Sequence, residues 1–309
     1  MIYPSILERK STFDHTLEGS DILQKVFLIK EMFYVSSSGI FNNNFVLRPE
    51  GTSNLMRATL ENHDLLSKVL HFGKVLYYFG PMFRDENPQF GRYRSFYQFA
   101  IEHLGKSSES LIADAELLIG GYKTLQSLGI KFDLHINSIG SISDRSKYNK
   151  HLKEIIDNKK LFNNFSKDCQ RKILNNNCLA LFDSKDENDK ILLKEFPPLI
   201  KSISSKELFR FESIQEILKD QKIDFKVDLS LARGLYFYND LCFEFKSNIS
   251  NSNITLIGGG RYDQLSEMIG SNKKISGVGF GAGIDRIALA MNDKIFLTDV
   301  VHILPIIVN

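Results

Sequence analysis

The stretch YYFGPMFRDENPQFGRYRSFYQF, residues 77–99, constrains the fold more than any other. Two runs rich in aromatic and branched residues, KVLYYFGPMF and SFYQFAIEHLG, flank a polar segment that carries Pro88 and Gly91. Such runs, punctuated by Pro and Gly, read as strands, so this part of the chain is expected to form strand, loop, strand. Arg84 closes the first strand, and Arg92 and Arg94 open the second, among Phe83, Tyr93, Phe96 and Phe99. Arginine stays ionised, and an unpaired buried charge is very costly. Its planar fork of donors fits phosphate or carboxylate. Two readings fit these residues alone: a surface hairpin whose arginines pair with Asp85 and Glu86, or several forks aimed at one anion.

The remaining pattern is α+β. NNFVLRPEG and FDLHINSIG read as strands; TSNLMRATLENHDLL has helical spacing, with Thr52 or Ser53 as its cap. SESLIADAELLIGGYKTLQSLG is a second helix ending at Gly129, a C′ residue. From about 144 to 222 the chain turns rich in Lys, Asn and Asp and reads as mainly helical. Strand patterns resume in FKVDLSLARGLYFYNDLCFEFKS and ITLIGGGRYD, and GVGFGAGIDRIALAM reads as strand then helix. The expected fold is therefore a mostly antiparallel sheet flanked by helices, with a helical insertion. The final VVHILPIIVN is one more apolar strand, an edge or the opening of another domain.

A formal charge of +2 gives no bulk basis for nucleic-acid binding, which must then rest on local patches. Three cysteines, Cys169, Cys178 and Cys242, show no CxxC spacing; this fits a reducing compartment and argues against structural zinc. No stretch reaches membrane-spanning length, and Pro4 and charges stand where a signal peptide needs an apolar run. The expected location is the cytoplasm.

Three further constellations carry polar chemistry. In RPEGTS, residues 48–53, Glu50 can accept from an ammonium group with Thr52 beside it, or be a solvated turn residue. In LARGLYFYNDLCFEF, Arg233 precedes Gly234, which allows close backbone approach, and Tyr236, Phe237 and Tyr238 can wall a pocket or pack in a core. In GGGRYD and GVGFGAGIDR, repeated glycine in a strand means another group packs on bare backbone, a planar base among the candidates. The spacing is not the dinucleotide-binding fingerprint. Arg84, Arg233 and Arg286 come from three distant segments, and three converging arginines suggest a polyphosphate.

FGPMFRDENPQFGRYRSFYQF resembles motif 2 of class II aminoacyl-tRNA synthetases, and GVGFGAGIDRI resembles their motif 3, with Asp285 where Glu is more usual. LRPEGTS and RGLYFY resemble the two signatures of the histidyl-tRNA synthetase family, and HINSIGS, DCQRKI and LFDSK follow its bacterial-type members. The similarity runs from roughly residue 3 to 305.

The resemblance implies the class II catalytic fold over residues 1–298, and at 299–309 the first strand of an anticodon-binding domain. It implies a histidine--tRNA ligase that activates L-histidine with ATP and transfers it to the 3′ end of tRNA(His), as a homodimer. Magnesium accompanies ATP through phosphates and water. By motif match, Arg84 holds the α-phosphate and the histidine carboxylate side, Arg92 and Arg286 hold the β- and γ-phosphates, and Arg233 faces the α-phosphate from the opposite side. Arg84 and Arg233 are thus the expected catalytic pair. Phe96 and the motif 3 strand, with Gly281 and Gly283, meet the adenine. Glu50, Gly51, Thr52 and Gln98 receive the amino-acid backbone, and Glu102, Phe237 and Tyr238 surround the imidazole. RGLYFY departs from the usual RGLDYY: Tyr236 replaces an acid, and Phe237 replaces a tyrosine and removes a hydroxyl. The helix usual before motif 1 is missing, which bears on the dimer. Two alternatives accompany this reading: an inactive synthetase-like regulatory subunit of ATP phosphoribosyltransferase, and a truncated remnant that binds ATP and histidine.

Overall fold

The computed structural model describes residues 1–291 apart from 3, 18–19, 21, 30–32, 37–38, 43–44, 176–177, 185, 232–236 and 251. In chain order the elements begin with β1 (Leu7–Arg9), α1 (Ser11–Asp14), β2 (Leu28–Ile29), β3 (Phe33–Ser36), β4 (Gly39–Asn42) and β5 (Phe45–Leu47). Then come α2 (Thr52–Glu61), α3 (His63–Phe72), β6 (Lys74–Phe83), β7 (Ser95–Leu104), α4 (Leu111–Ser127) and β8 (Asp133–Ser138). The insertion follows as α5 (Ile142–Asn158), α6 (Lys167–Leu174), α7 (Glu187–Leu193) and α8 (Ser205–Asp220). The chain then forms β9 (Lys226–Val227), β10 (Asn239–Ile249), β11 (Ser252–Arg261), α9 (Leu265–Met268), β12 (Gly277–Gly283) and α10 (Ile284–Ala290).

Seven strands form one sheet in the order β6-β7-β12-β11-β10-β8-β9, antiparallel except for the β8–β9 pair. The arginine-bearing segment is a hairpin: Lys74 pairs with Leu104 and Phe83 with Ser95. Paired residues share a face, so the register sorts the sheet into two surfaces. On the back, Leu134, Ile136, Leu241, Phe243, Phe245, Ile257, Val278, Phe280 and Ala282 form one core with Ala113, Leu117 and Leu118 of α4 and Phe211, Ile214 and Leu218 of α8. The register puts Ala100, Glu102, Gly258 and Gly260 of β11, the glycines of β12, Cys242 and Asn137 on the opposite face. On that side a second core joins α2, α3 and the insertion around Met56, Val69, Tyr148, Leu152 and Cys169.

Several local expectations hold: α4 ends with Gly129 at φ +68, its N–H donating to Gln126 O at 3.0 Å. Others are corrected. The helix expected over 52–66 is two helices, because Asn62 is extended and its side chain accepts from Leu65 N at 3.0 Å, capping α3. The long strand pattern at 225–247 breaks after Val227, where Asp228 accepts from Ser230 N at 3.1 Å and turns the chain. Arg233 and Tyr236, like the expected strand at 299–309 and its domain boundary, lie outside the described residues. Among the described residues no helix is long and apolar enough to cross a membrane.

Candidate active site

Glu50 lies just before α2 and is buried. Its carboxylate accepts from Thr52 N at 2.6 Å and from Ser53 N at 3.0 Å, so an acid two residues upstream satisfies the first amides of α2. This corrects the expectation that Thr52 or Ser53 is the cap, and it also gives Glu50 a partner before any ligand arrives. Burial pushes the Glu50 carboxyl up, while these amides and the neighbouring Arg84 oppose the shift. The Thr52 side chain is thereby released from capping, and its hydroxyl donates to Glu102 Oε1 at 2.8 Å.

Glu102, on β7, is 1% exposed. The phenol of Tyr262 donates to its other oxygen. Burial pushes Glu102 to about 8, against the two hydroxyls and helped by the nearby charge of Glu50. Tyr78 stands in the same group: it hydrogen-bonds Thr52, and burial followed by the charges of Glu102 and Glu50 raises its phenol. The Tyr78 ring packs where a Cβ on Gly51 would go, which explains glycine there. Tyr238 packs on Gly260, and Phe237 lies 4.9 Å from the Tyr238 ring centroid and 6.0 Å, edge-on, from that of Tyr262.

The glycines of β12 are occupied differently from the expectation of a bare platform for a planar base. A Cβ on Gly279 would coincide with the Glu102 carboxyl, and one on Gly281 with the Gln98 amide. These two positions are bare so that polar side chains from the next strand can lie across them. Gln98 Oε1 is buried and, among the described residues, meets no donor. An orphaned buried acceptor costs roughly 1–3 kcal/mol and invites an N–H.

The arginines line the hairpin that leads away from this pocket. Arg84 Nε donates to Pro49 O at 2.9 Å, and its guanidinium lies 5.0 Å from the Phe96 ring centroid, a cation–π geometry. At the far end Arg286 donates to Gly91 O at 2.8 Å and to Thr255 O at 2.9 Å, which brings it beside the loop that bears Arg92. Arg92 is exposed and bridges to Gln89 through paired backbone bonds. Gly283 precedes α10, close to the Arg286 side chain. Asp285, near the start of α10, accepts from Tyr97 N at 2.7 Å and so ties that helix to the hairpin. The surface-hairpin reading holds for Arg94, which pairs with Asp85 at 3.4 Å in an exposed bridge.

Tyr262 and Tyr78 were not among the residues expected from the sequence. Their signal was faint: aromatic residues in strands read as core, and only the register shows that these two face an acid. What the assembled groups offer is specific. Two buried carboxyls and an orphaned amide oxygen favour a ligand rich in N–H donors, and a row of guanidinium groups beside them favours an extended anion.

A family model described as histidyl-tRNA synthetase matches residues 18–287. The histidine--tRNA ligase of Halothermothrix orenii is 36% identical over 278 residues, covering 90% of this chain and 62% of the relative. That of Campylobacter jejuni is 37% identical, covering 90% and 64%. The chain thus spans less than two thirds of the length of these relatives. Among solved structures, apo histidyl-tRNA synthetase of S. aureus superposes with a TM-score of 0.69 at 28% identity, covering 94% of this chain and 64% of that one. A Bacillus halodurans protein described as an ATP phosphoribosyltransferase regulatory subunit/histidyl-tRNA synthetase shares the fold, with a TM-score of 0.62 at 20% identity, covering 95% and 74%.

Proposed function

The chain belongs to the histidyl-tRNA synthetase family, and on that premise we propose that it activates L-histidine with ATP and passes the aminoacyl group to the 3′ end of tRNA(His). The observation that carries the proposal is the Glu102 pocket at one end of a row of guanidinium groups. An amino acid seated there presents its carboxylate toward Arg84 and Phe96.

In the proposed first step a histidine carboxylate oxygen attacks the α-phosphorus of ATP in line, an acyl–phosphate bond forms, and pyrophosphate leaves. Positioning and charge neutralisation dominate such chemistry. Arg84 receives charge at the α-phosphate, and Arg92 and Arg286 hold the β- and γ-phosphates. Arg233 faces the α-phosphate from the other side by motif match. Phe96 stacks the adenine, and Gly283 keeps the β12 end open beside it, while Gly281 makes room for the Gln98 amide. The ammonium group of histidine meets Gln98 Oε1 and Glu50. The imidazole lies against Glu102 and Tyr238. With Glu102 near 8, acid and imidazole together hold one proton at neutral pH, so the pocket accepts either a neutral ring facing an acid or an imidazolium facing a carboxylate. In the second step the terminal ribose hydroxyl of tRNA attacks the acyl carbon and AMP leaves.

Among the described residues no group of three His, Cys, Asp or Glu side chains could hold a metal ion. Magnesium would accompany ATP and would supply charge neutralisation at its phosphates. A homodimer and a cytoplasmic location complete the proposal, by family.

Pyrophosphate exchange into ATP, run with each of the twenty amino acids, tests it. Exchange supported by histidine alone is expected. Exchange with none rejects the activation step, and histidine binding without exchange is what the regulatory-subunit alternative predicts.

A further inference from the structure

Buried ionic groups are a poor way to glue a helix to a sheet, because apolar side chains of equal volume serve as well or better. The cluster around Arg261 is therefore unexpected on the back of a strand whose other back-facing neighbours are Phe243, Ile257 and Phe280. Arg261 ends β11 and is 3% exposed. Its Nε and Nη2 donate to Asp114 Oδ1 of α4 at 3.2 and 2.8 Å, Nη2 also to Ser108 O at 2.6 Å, and Nη1 to Asp263 Oδ1 at 2.9 Å. Asp263 is fixed in turn: its N donates to Asn239 Oδ1 at 2.7 Å, its Oδ2 accepts from Asn239 Nδ2 at 3.0 Å, and its Oδ1 from Gly277 N at 3.2 Å. Arg210 of α8 reaches the same Asp114.

Between the two gripped residues stands Tyr262. Strand alternation sends its side chain to the opposite face, where its phenol bonds Glu102. Its N donates to Gly277 O at 2.7 Å, and its ring fills the space a Cβ on Gly277 would take. A planar fork held at three acceptors fixes the rotation of its own residue, and so that of the next. A tilt of about 10° swings a phenol oxygen by about 1 Å, enough to break its hydrogen bond.

We propose that Arg261, clamped by Asp114 and Asp263, is a positioning residue for the amino-acid pocket: it sets the orientation of Tyr262 that lays the phenol on Glu102. The inference rests on the reading that this pocket takes the imidazole of histidine. The groups that face Glu102 are Thr52 of α2, Glu50 before it, Tyr78 of β6 and Tyr262, with Tyr238 beside the two tyrosines; Arg261 acts only through Tyr262.

The test uses the full chain with Arg261→Lys, which keeps the charge and loses the fork, and Asp263→Asn as a milder second variant. Carbon-13 NMR follows the Glu102 carboxyl, assigned by its loss in Glu102→Gln. The Tyr262 bond favours the carboxylate, so loosening it moves the Glu102 midpoint upward from about 8. The histidine KM rises about 10- to 100-fold, as for loss of a charge-assisted bond, while the ATP KM stays within about twofold. In a Tyr262→Phe background Arg261→Lys adds no further shift. An unchanged midpoint and histidine KM in a folded Arg261→Lys chain overturns the clamp. So does an equal shift with and without the Tyr262 hydroxyl, or an equal rise in both KM values. A parent chain that binds no histidine refutes the assigned substrate, yet the carboxyl titration still reports on the clamp.

Discussion

Replacing Glu102 by Gln should make the protein more stable as pH rises, relative to the parent. Glu102 is 1% exposed, and burial moves its carboxyl from 4.5 to about 8. A group whose folded pKa is raised contributes stability fully below its unfolded value and loses it as pH climbs through the folded value. Between pH 4.5 and about 8 the unfolded chain has released this proton and the folded chain still holds it. Stability therefore falls by about 1.4 kcal/mol per pH unit from this residue alone. Summed over the window and reduced for relaxation around the ion, the loss is roughly 2–4 kcal/mol. Gln is nearly isosteric with the protonated acid, accepts from one of the two hydroxyls through its amide oxygen while its amide nitrogen donates to the other, and has no such slope. Glu50 is also raised by burial and titrates in both proteins, so its own burial contribution drops out of the difference and only its weaker coupling to Glu102 remains. Urea unfolding of both chains at half-unit steps from pH 5 to 8.5 gives the curve directly. The stability of Glu102→Gln minus that of the parent should climb with pH and level off above 8. A difference that stays flat would refute the reasoning, because Glu102 would then titrate as an ordinary carboxyl.

Arg84→Ala should lower histidine-dependent pyrophosphate exchange roughly 10²- to 10³-fold, the usual loss when a donor to developing charge is removed, while ATP-independent histidine binding in equilibrium dialysis weakens by only about 10-fold, the loss of one partner of the carboxylate. Gly279→Ala should raise the histidine KM more than about 10-fold and destabilise the fold by about 1–3 kcal/mol in urea, because the new methyl displaces the Glu102 carboxyl. Arg286→Gln loses the bonds to Gly91 O and Thr255 O and should raise the ATP KM about 10-fold in steady-state exchange while the histidine KM barely moves.

The hairpin was legible because its strands advertise themselves: aromatic and branched runs end at Phe83 and resume at Ser95, and the observed bounds match. The helical insertion was legible from its composition and emerges as α5 to α8. Asn62 hid the break between α2 and α3, since His63 and Asp64 continue the helical spacing and only a side-chain bond to Leu65 N reveals the new start. The turn at Asp228 was concealed in the same way inside a run of strand-forming residues. Within the site, Glu50 and Glu102 could be singled out as residues, but not as neighbours, because 50 positions separate Thr52 from the acid it touches. The glycines of β12 announced close packing correctly. What packs there, Glu102 and Gln98, follows from the pairing of β12 with β7, which composition does not encode. Tyr262 was invisible for the same reason.

The most direct measurement is the product itself. The chain, mixed with magnesium, histidine and ATP labelled at the α-phosphate, is quenched in acid within one turnover and analysed for histidyl-adenylate. The expected result is one labelled adenylate per active site, dependent on histidine and absent from Arg84→Ala. A chain that binds both substrates in equilibrium dialysis yet forms no adenylate would contradict the proposed activation.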